Sequence, residues 1–300
     1  MKRWQIKSFA QKLLSPLPFG ENLNFFLQKH VTRNIHSSEG SVKEAFENAR
    51  LHLDAIRRHV SQSLSESLFY EFGAGWNLVG PIAFWCLGVK RQICIDLLRH
   101  VRWNLVNDSI ELLRSANIPG AVRIPERSVN SLEDLFRYYA IEYKAPCDAR
   151  RTGLPARSIN VVTSTYTLEH IPPNDLLLIL QECSRILVDG GVMSHLIDYQ
   201  DHYSYFDPSI TRYNFLRYDA RAWRWFNSSL HFQSRLRHKD YLQLLGNAGF
   251  NCVQDCPRLN PQNFYELRSV PIAEEFRHTY SEEELAVWSA HIVSTCKHAT

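Results

Sequence analysis

Residues 67–96 read SLFYEFGAGWNLVGPIAFWCLGVKRQICID, and this stretch decides the fold. A short apolar run ends on Glu71, a glycine-rich turn follows at residues 73–75, and a second apolar run ends on Asp96. Residues 78–87, between the turn and the second run, form an apolar, helix-like segment. The order of strand, glycine-rich turn, helix, strand and acid predicts one βαβ unit with a ligand site at the carboxyl ends of its strands.

The turn needs glycine for two physical reasons. Gly73 and Gly75 allow backbone angles that are closed to residues with a Cβ, and they let a ligand approach the main chain closely. In a dinucleotide-binding fingerprint a third glycine follows three residues later, where the pyrophosphate meets the helix N-terminus. Leu78 stands at that position. This disfavours a nicotinamide-dependent oxidoreductase, which remains an alternative.

The segment Glu71-Phe72-Gly73-Ala74-Gly75 resembles motif I of the class I S-adenosylmethionine-dependent methyltransferases, whose pattern is E/D-x-G-x-G-x-G. Asn77 stands where the third glycine of that motif often falls. Asp96 matches the acid that ends the second strand in this family and holds both ribose hydroxyls, a task that suits a carboxylate because it accepts two hydrogen bonds at once. The resemblance implies an α/β fold, a Rossmann-like, doubly wound, mostly parallel seven-stranded sheet. It also implies S-adenosyl-L-methionine as the cofactor.

Two later stretches resemble the same family. An acid and a small residue, Asp148 and Ala149, precede an apolar strand by about ten positions, and the resemblance implies that they bind adenine through the carboxylate and the backbone N–H. Residues 165–173, TYTLEHIPP, resemble the segment after the family's fourth strand, which faces both the cofactor and the acceptor. The residues expected to bind the cofactor are Glu71, Gly73, Ala74, Gly75, Asp96, Asp148, Ala149 and Thr165.

The rest of the chain alternates helix and strand, which is typical of a doubly wound parallel sheet. A third strand is expected within residues 121–146, but no pattern there places it. The predicted helices are residues 99–116, 176–187 and 240–247, and the predicted strands are residues 158–165, 192–197, 250–253 and 290–296, with a turn at residues 189–191.

Residues 1–66 are predicted to form a helical N-terminal cap that precedes a methyltransferase domain at residues 67–300. Ser41 and Glu44 form a capping-box pattern, and apolar residues then recur three and four apart as far as about residue 62, which predicts one long helix. The basic, amphipathic N-terminus fits a lid packed on its own domain better than a helix on a membrane surface, although peripheral membrane contact stays open.

Two stretches are predicted as substrate-cap inserts, residues 198–237 after the fifth strand and residues 260–288 near the end of the chain. The first interleaves aromatic, basic and acidic residues with no clean period. Its aromatic rings could stack a flat acceptor or a sugar face, or they could form the small core of a cap. In the second insert, Ser281 opens a capped helix.

Composition excludes several classes of protein. Lys and Arg total 34 against 31 Asp and Glu, so the net charge of +3 gives no reason to expect a nucleic acid partner. The seven cysteines are scattered without paired CxxC motifs, and Cys252 and Cys256 lack a second ligand pair, so no metal site is predicted. No apolar run reaches the length of a membrane span, and the N-terminus lacks the pattern of a signal peptide. We therefore expect a cytoplasmic protein.

Methyl transfer from a sulfonium is an in-line displacement, and an oxygen or nitrogen acceptor usually needs a nearby base. His202 is the first choice because it follows the fifth strand beside Asp201, and a carboxylate raises the basicity of an imidazole. His170 is the second choice, and Asp198 and Asp201 complete the candidates. His195 lies within the fifth strand and fits a core histidine better.

The sequence thus favours an enzyme that methylates a small-molecule acceptor, most simply an oxygen of a sugar, a nucleotide sugar or another small metabolite. A non-catalytic S-adenosylmethionine-binding regulatory or scaffold protein is the alternative from a different class. The polar residues at the acceptor face argue against it. The oligomeric state stays open.

The first prediction concerns cofactor binding. Asp96→Ala should weaken S-adenosylmethionine binding by about 1.5–3 kcal/mol, the range for hydrogen bonds to a charged group, when the affinity is measured by calorimetry. Tight NADH binding without any response to S-adenosylmethionine would contradict the assignment of the cofactor.

Overall fold

The computed structural model describes residues 2–16, 38–60, 63–116 and 118–296. Its strands form a seven-stranded sheet. They are β1 Leu68–Phe72, β2 Arg91–Ile95, β3 Ile141–Lys144, β4 Ile159–Thr165, β5 Leu187–Asp198, β6 Phe250–Arg258 and β7 Ser289–Cys296. The order across the sheet is β3-β2-β1-β4-β5-β7-β6, with β7 antiparallel to both of its neighbours and the other pairs parallel. The predicted fold class is confirmed.

Helices cover both faces of this sheet and its carboxyl edge. They are α1 Arg3–Leu14, α2 Glu39–Ile56, α3 Val79–Cys86, α4 Trp103–Ser115, α5 Leu132–Tyr139, α6 Pro173–Ile186, α7 Ala220–Trp223, α8 His238–Asn247, α9 Pro261–Arg268, α10 Glu274–Thr279 and α11 Glu282–Ala286. Short 3-10 helices stand at Leu168–His170, His202–Tyr205, Asn214–Arg217 and Ser229–His231. The predicted capped helix after Ser281 is α11, and the Ser281 side chain accepts a hydrogen bond from the backbone N–H of Glu284.

Parallel pairing sets the position of the ligand site. β1 pairs with β2 on one side and with β4 on the other, so the carboxyl ends of these three strands meet at one edge of the sheet. Glu71 lies near the end of β1, Asp96 directly follows β2, and Thr165 ends β4. Side chains that are far apart in sequence therefore come together at this edge.

The sequence did not place three elements correctly. One of them, the third strand, does lie within the expected residues 121–146. The third strand is β3, only four residues long, and its alternating burial is typical of a strand at the edge of a sheet. The turn predicted at residues 189–191 is wrong, because these residues lie within β5. There Gly190 takes a positive φ of 74°, and the pairing with β4 shifts register between Ile159 and Val161.

The third difference is the start of α2. Ser38, not Ser41, is the N-cap. The Ser38 Oγ accepts from the backbone N–H of Ser41 at 3.1 Å, and the Ser41 Oγ accepts from the N–H of Ser38 at 2.8 Å. The prediction failed because two serines stand three residues apart and either could open a box. The helix ends at Ile56, and residues 61–62 of the predicted helix lie outside the described residues, as do residues 17–37 of the predicted cap.

A buried polar network joins α2 to the sheet. His52 of α2 lies with Nδ1 2.7 Å from the Ser194 Oγ in β5 and with Nε2 3.1 Å from the Thr165 Oγ1 in β4. The same Ser194 Oγ lies 2.8 Å from Nε2 of His291 in β7. The apolar face of α2 predicted from the sequence is buried around His52. These contacts position the helix over the end of β4.

The helix α1 packs through one face and exposes the other. Trp4 is buried, its backbone N–H donates to Asp207 Oδ2 at 3.1 Å, and its ring centroid lies 4.8 Å from that of Phe226. This supports the predicted lid. The opposite face carries exposed apolar residues, among them Ile6 and Phe9. Across residues 2–16, 38–60, 63–116 and 118–296, no helix has both the length and the apolar character of a membrane span.

The histidine network predicts a specific pH dependence of stability. Burial first, and then the neighbouring His291 and His195, hold the pKa of His52 well below its ordinary value. The folded protein therefore binds fewer protons than the unfolded chain at acidic pH, and the stability given by neutral His52 is lost as the pH falls below about 6.5. For a His52 that stays neutral in the folded protein, the free energy of unfolding should fall by about 2 kcal/mol between pH 6.5 and 5.0.

His52→Gln removes that titration while keeping a hydrogen-bonding side chain. Its destabilisation relative to wild type, measured by urea unfolding, should therefore be about 2 kcal/mol smaller at pH 5.0 than at pH 7.5. His59→Gln, in the turn after α2, makes the same chemical change outside the network and is the matched control. A constant difference for His52→Gln would mean that the ring is not held neutral.

Candidate active site

Two adjoining cavities follow the carboxyl edge of β1, β2 and β4. The larger has a volume of about 580 Å³ and the smaller about 310 Å³, and both are lined by Gly73, Asp96, Thr167 and His170. The residues expected at the cofactor all line one or both of them. Glu71, Gly73, Ala74, Gly75, Asp96 and Thr165 line the larger cavity, and Gly73, Asp96, Asp148 and Ala149 line the smaller one. Their contacts with a ligand remain a prediction.

The glycine turn shapes the floor of this cleft. Gly73 has a φ of 77°, and a Cβ at this position would lie 2.4 Å from Thr167 Cγ2 and 2.9 Å from Thr167 Oγ1. Gly75 has a φ of 78°, and a Cβ built there would meet nothing within 4 Å. Gly73 is therefore needed for the close approach of Thr167 as well as for its backbone angle, whereas Gly75 is needed for its angle and leaves open space.

Two acids face each other across the turn. Asp96 Oδ2 accepts a hydrogen bond from the Tyr143 hydroxyl at 2.8 Å. Burial raises the pKa of Asp96 to about 7, although Tyr143 and the backbone N–H groups of Gly75 and Ala74 favour its charged form. Burial, and then Asp96 itself, raise the pKa of Glu71 to about 8. A ligand that carries positive charge would favour the ionised form of both acids.

Asp148 lines the smaller cavity and forms an ion pair with Arg150. Both of its carboxylate oxygens accept from Arg150 Nε at 3.0 Å, and Arg150 Nη1 reaches Asp175 Oδ1 at 2.6 Å. The hydrogen bonds from Arg150 lower the pKa of Asp148. The backbone N–H of Arg150 and its Nη2 also donate to Asp148, at 2.9 and 2.7 Å, so an adenine amine would have to share this carboxylate with Arg150.

The acceptor-side candidates gather where β5 ends. His202 Nε2 lies 3.1 Å from Asp198 Oδ2, and the Tyr205 hydroxyl donates to the same oxygen at 2.5 Å. Gln200 Nε2 donates to Asp198 Oδ1 at 2.9 Å. Burial by itself would raise the pKa of Asp198, but the hydrogen bonds from His202, Tyr205 and Gln200 lower it below the ordinary value. Asp198 is thus a buried, ionised carboxylate that faces an imidazole.

The structure corrects the partner expected for His202. Asp201 is buried, and its oxygens accept from the backbone N–H of Tyr203 and from Asn214 Nδ2, both at 2.9 Å. It caps the 3-10 helix that begins at His202. Sequence adjacency pointed to Asp201, but the bend at residues 199–201 brings Asp198 and His202 together instead.

The other histidines fall into two groups. His195 is buried in β5 with Nδ1 2.8 Å from the Ser164 Oγ, and burial lowers its pKa to about 3. His170 lies at the cleft, with Nδ1 2.8 Å from the Phe232 carbonyl oxygen and its ring centroid 4.8 Å from that of His202. The structure therefore brings both catalytic candidates, His202 and His170, to the same edge. Their roles remain predictions.

Sequence reasoning missed Glu169, His231 and Tyr143. Glu169 is buried beneath the cleft, and burial, followed by the charge of Asp198, raises its pKa well above the ordinary value. The backbone amides of Glu169 and Asp198 favour its charged form, but neither carboxylate oxygen receives a hydrogen bond of ordinary geometry. Its place in TLEHIPP was the available signal. His231 lies in an insert without periodicity, and Tyr143 lies in a strand that no pattern placed.

Most aromatic residues of the first insert form the core of a cap. Four of them are buried in one cluster with Trp4. They are Tyr203, Tyr213, Phe215 and Trp223. Tyr205 is different, because it is 62% exposed and its ring centroid lies 5.5 Å from that of His202. Tyr205 is thus an insert ring that lies beside the acceptor-side candidates.

Residues 126–194 match a family model described as a methyltransferase domain. This segment spans the strand β4 and the candidates from Asp148 to His170. Among curated proteins, none matches the sequence.

Solved structures resemble this chain at low identity. A S-adenosylmethionine-dependent methyltransferase from Clostridium acetobutylicum is 11% identical, with 92% of this chain and 98% of that one covered and a TM-score of 0.48. Geranyl diphosphate C-methyltransferase from Streptomyces coelicolor is 10% identical, with 83% and 78% covered and a TM-score of 0.47. A putative S-adenosylmethionine-dependent methyltransferase from Listeria monocytogenes is 12% identical, with 83% and 100% covered and a TM-score of 0.44. These similarities are too low to transfer a substrate.

The family match over residues 126–194 agrees with the resemblance predicted from motif I. That segment is the part of the chain that matches a methyltransferase domain. S-adenosylmethionine-dependent methyl transfer is the activity that this match supports.

Adenine binding can be tested at the smaller cavity. Asp148→Asn should weaken S-adenosylmethionine binding, because one acceptor becomes a donor that faces the adenine amine. Thermal melting without ligand should change little, since an exposed ion pair contributes at most about 1 kcal/mol.

Asp175→Asn is the matched control, because it removes the other carboxylate partner of Arg150 and leaves Asp148 intact. Equal affinity loss in the two variants would show that Arg150 is responsible. Wild-type affinity in Asp148→Asn would remove Asp148 from the site.

Proposed function

We propose that this enzyme transfers a methyl group to an oxygen of a small-molecule acceptor, with a sugar or nucleotide sugar as the favoured class. The observation that carries the proposal is the pairing of Asp198 and His202 next to the cofactor cleft, with Nε2 of His202 3.1 Å from the Asp198 carboxylate. This arrangement is suited to removing a proton from a hydroxyl group.

The pairing fixes the orientation of the ring. A carboxylate next to Nε2 favours the tautomer that carries its proton there, so Nδ1 is the basic nitrogen. An acceptor hydroxyl gives its proton to that nitrogen while its oxygen attacks the methyl carbon. The bond from carbon to sulfur breaks, and its electron pair stays on sulfur. Alignment of the three reacting atoms supplies most of the remaining acceleration.

The exposed ring of Tyr205 supports a sugar acceptor. It borders His202, and its hydroxyl is held by Asp198, so the ring has a fixed orientation beside the reacting oxygen. Aromatic faces bind the apolar faces of flat or cyclic ligands in this way. Tyr203, Tyr213, Phe215 and Trp223 of the insert are buried with Trp4 and support the cap instead.

Two further expectations belong to the same proposal. All seven cysteines are free thiols, which supports a reducing compartment, and we propose the cytoplasm. We also propose the division into a cap at residues 1–66 and a methyltransferase domain at residues 67–300, with inserts at residues 198–237 and 260–288. A non-catalytic binding protein would have no need of the buried, ionised Asp198 against His202.

The base assignment predicts separable effects on turnover and on cofactor binding. Once a screen of nucleotide sugars, glycans and small phenols has found an acceptor, His202→Ala should lower kcat by about 10²–10⁴-fold. The affinity for S-adenosylmethionine should barely change.

Asp198→Asn should give a smaller loss in kcat, because the ring stays but its orientation weakens. His170→Ala serves as the comparison at the neighbouring candidate. Full turnover in His202→Ala together with a large loss in His170→Ala would transfer the role to His170. Loss of cofactor binding in His202→Ala would place the residue on the cofactor side.

A further inference from the structure

Three side chains at the acceptor edge could serve one metal ion. Glu169 and His170 belong to the 3-10 helix that follows β4, and His202 begins the 3-10 helix that follows β5. One ligand atom from each of these residues lies within 4.8 Å of the others. Neighbouring strands bring together a carboxylate and two imidazoles that are up to 33 positions apart in the chain, between Glu169 and His202.

Glu169 supplies an independent reason to expect a cation. The residue is only 3% exposed, and neither of its carboxylate oxygens receives a hydrogen bond of ordinary geometry. Burial of a carboxylate without a partner is costly, so such a group is normally neutralised by a proton, a charged side chain or a metal ion. Within the part of the chain that the structure describes, Glu169 forms no ion pair, whereas other acids pair with arginines.

The surroundings of the two histidines match those of metal ligands. Metal-bound histidines usually donate their other ring N–H to a carbonyl or a carboxylate, which fixes the ring and the tautomer. Nδ1 of His170 lies 2.8 Å from the carbonyl oxygen of Phe232, and Nε2 of His202 lies 3.1 Å from Asp198 Oδ2. One nitrogen of each ring thus lies close to a protein oxygen, and each residue offers one ligand atom to the cluster.

We propose that Glu169, His170 and His202 bind a divalent transition-metal ion at the acceptor edge of the cleft. Imidazole ligands suit Zn²⁺, Fe²⁺ and related ions better than Mg²⁺ or Ca²⁺, and three protein ligands leave positions open. Ligand atoms at about 2.1 Å from one tetrahedral ion are about 3.4 Å apart, so the side chains close by about 1 Å when the ion binds. The cysteine spacing predicted no metal site, so the prediction that no metal is bound does not agree with this proposal.

An ion at this position would ease the removal of the proton from the acceptor hydroxyl. This step rests on the proposed function. A metal-bound hydroxyl has a lowered pKa, so the ion would hold the acceptor oxygen and ease loss of its proton to water. That oxygen then attacks the methyl carbon, and the electron pair of the broken bond stays on sulfur. The two roles of His202 are alternatives: with the ion bound it is a metal ligand, and without the ion it is the base of the proposed function.

Metal binding can be measured without an acceptor. The purified full-length chain is treated with a chelator, dialysed and titrated with Mn²⁺, while free Mn²⁺ is followed by electron paramagnetic resonance. One ion should bind per chain. Glu169→Gln and His202→Asn should each weaken binding by at least about 100-fold, and Asp198→Asn, which alters only the support of His202, by about 10–100-fold. Zn²⁺ should displace Mn²⁺ far more readily than Mg²⁺ does.

Glu182→Gln makes the same chemical change outside the cluster, at a glutamate paired with Arg185, and should bind Mn²⁺ as wild type does. Thermal melting of each metal-free variant shows whether it is folded. If Glu169→Gln fails to fold, His202→Asn provides the same test. Absence of Mn²⁺ binding, or binding that these variants leave unchanged, would overturn the proposal and leave Glu169 as a buried neutral acid.

Activity then separates this inference from the proposed function. If the chelated enzyme keeps full turnover, the catalytic role of the ion is wrong, whereas the assignment of His202 as the base stands. If Mn²⁺ binds as expected but no oxygen acceptor is methylated, the metal site stands and the proposed acceptor class is wrong.

Discussion

The contact on which the site depends is the close approach of Thr167 to Gly73. Any side chain at residue 73 would need the space of the Thr167 methyl and hydroxyl groups, since even a Cβ would lie 2.4 Å from one of them. This contact joins the turn after β1 to the segment after β4. The segment carries Glu169 and His170, so a single glycine sets the distance between the cofactor side and the acceptor side of the cleft.

Other parts of the chain fix the position of the segment after β4. Tyr166 takes a left-handed φ of 52° at the point where β4 turns into the segment with Thr167, a conformation that is rare for a large side chain and persists only where the surroundings enforce it. His52 contacts Thr165 just before that point and links it to β5 through Ser194. The cap and the catalytic edge are thus parts of one hydrogen-bonded structure.

Much of the fold could be predicted because its signals are local. Glycine spacing and the two acids located β1, β2 and the turn, and the apolar period of α2 predicted which of its residues would be buried. The third strand could not be placed, because a four-residue edge strand buries too few side chains to leave a pattern. The bulge at Gly190 was mistaken for a turn because both features use glycine at a positive φ.

The acceptor site was only partly predictable for a different reason. Sequence patterns could nominate His170, His202 and Asp198, since each follows a strand. They could not show that His202 faces Asp198 rather than its neighbour Asp201, because this choice depends on the 3-10 turn at His202–Tyr205. Nor could they show that Glu169 lies with both histidines, because that juxtaposition arises from the neighbouring positions of β4 and β5 in the sheet.

The central claim is that one cleft orients the cofactor so that its methyl group faces the acceptor edge. A crystal structure with S-adenosylhomocysteine bound tests it most directly. The account predicts the ribose on Asp96, the adenine in the cavity lined by Asp148 and Ala149, and the sulfur directed toward His170 and His202. A ligand that lies outside this cleft, or a sulfur that points away from both histidines, would contradict it.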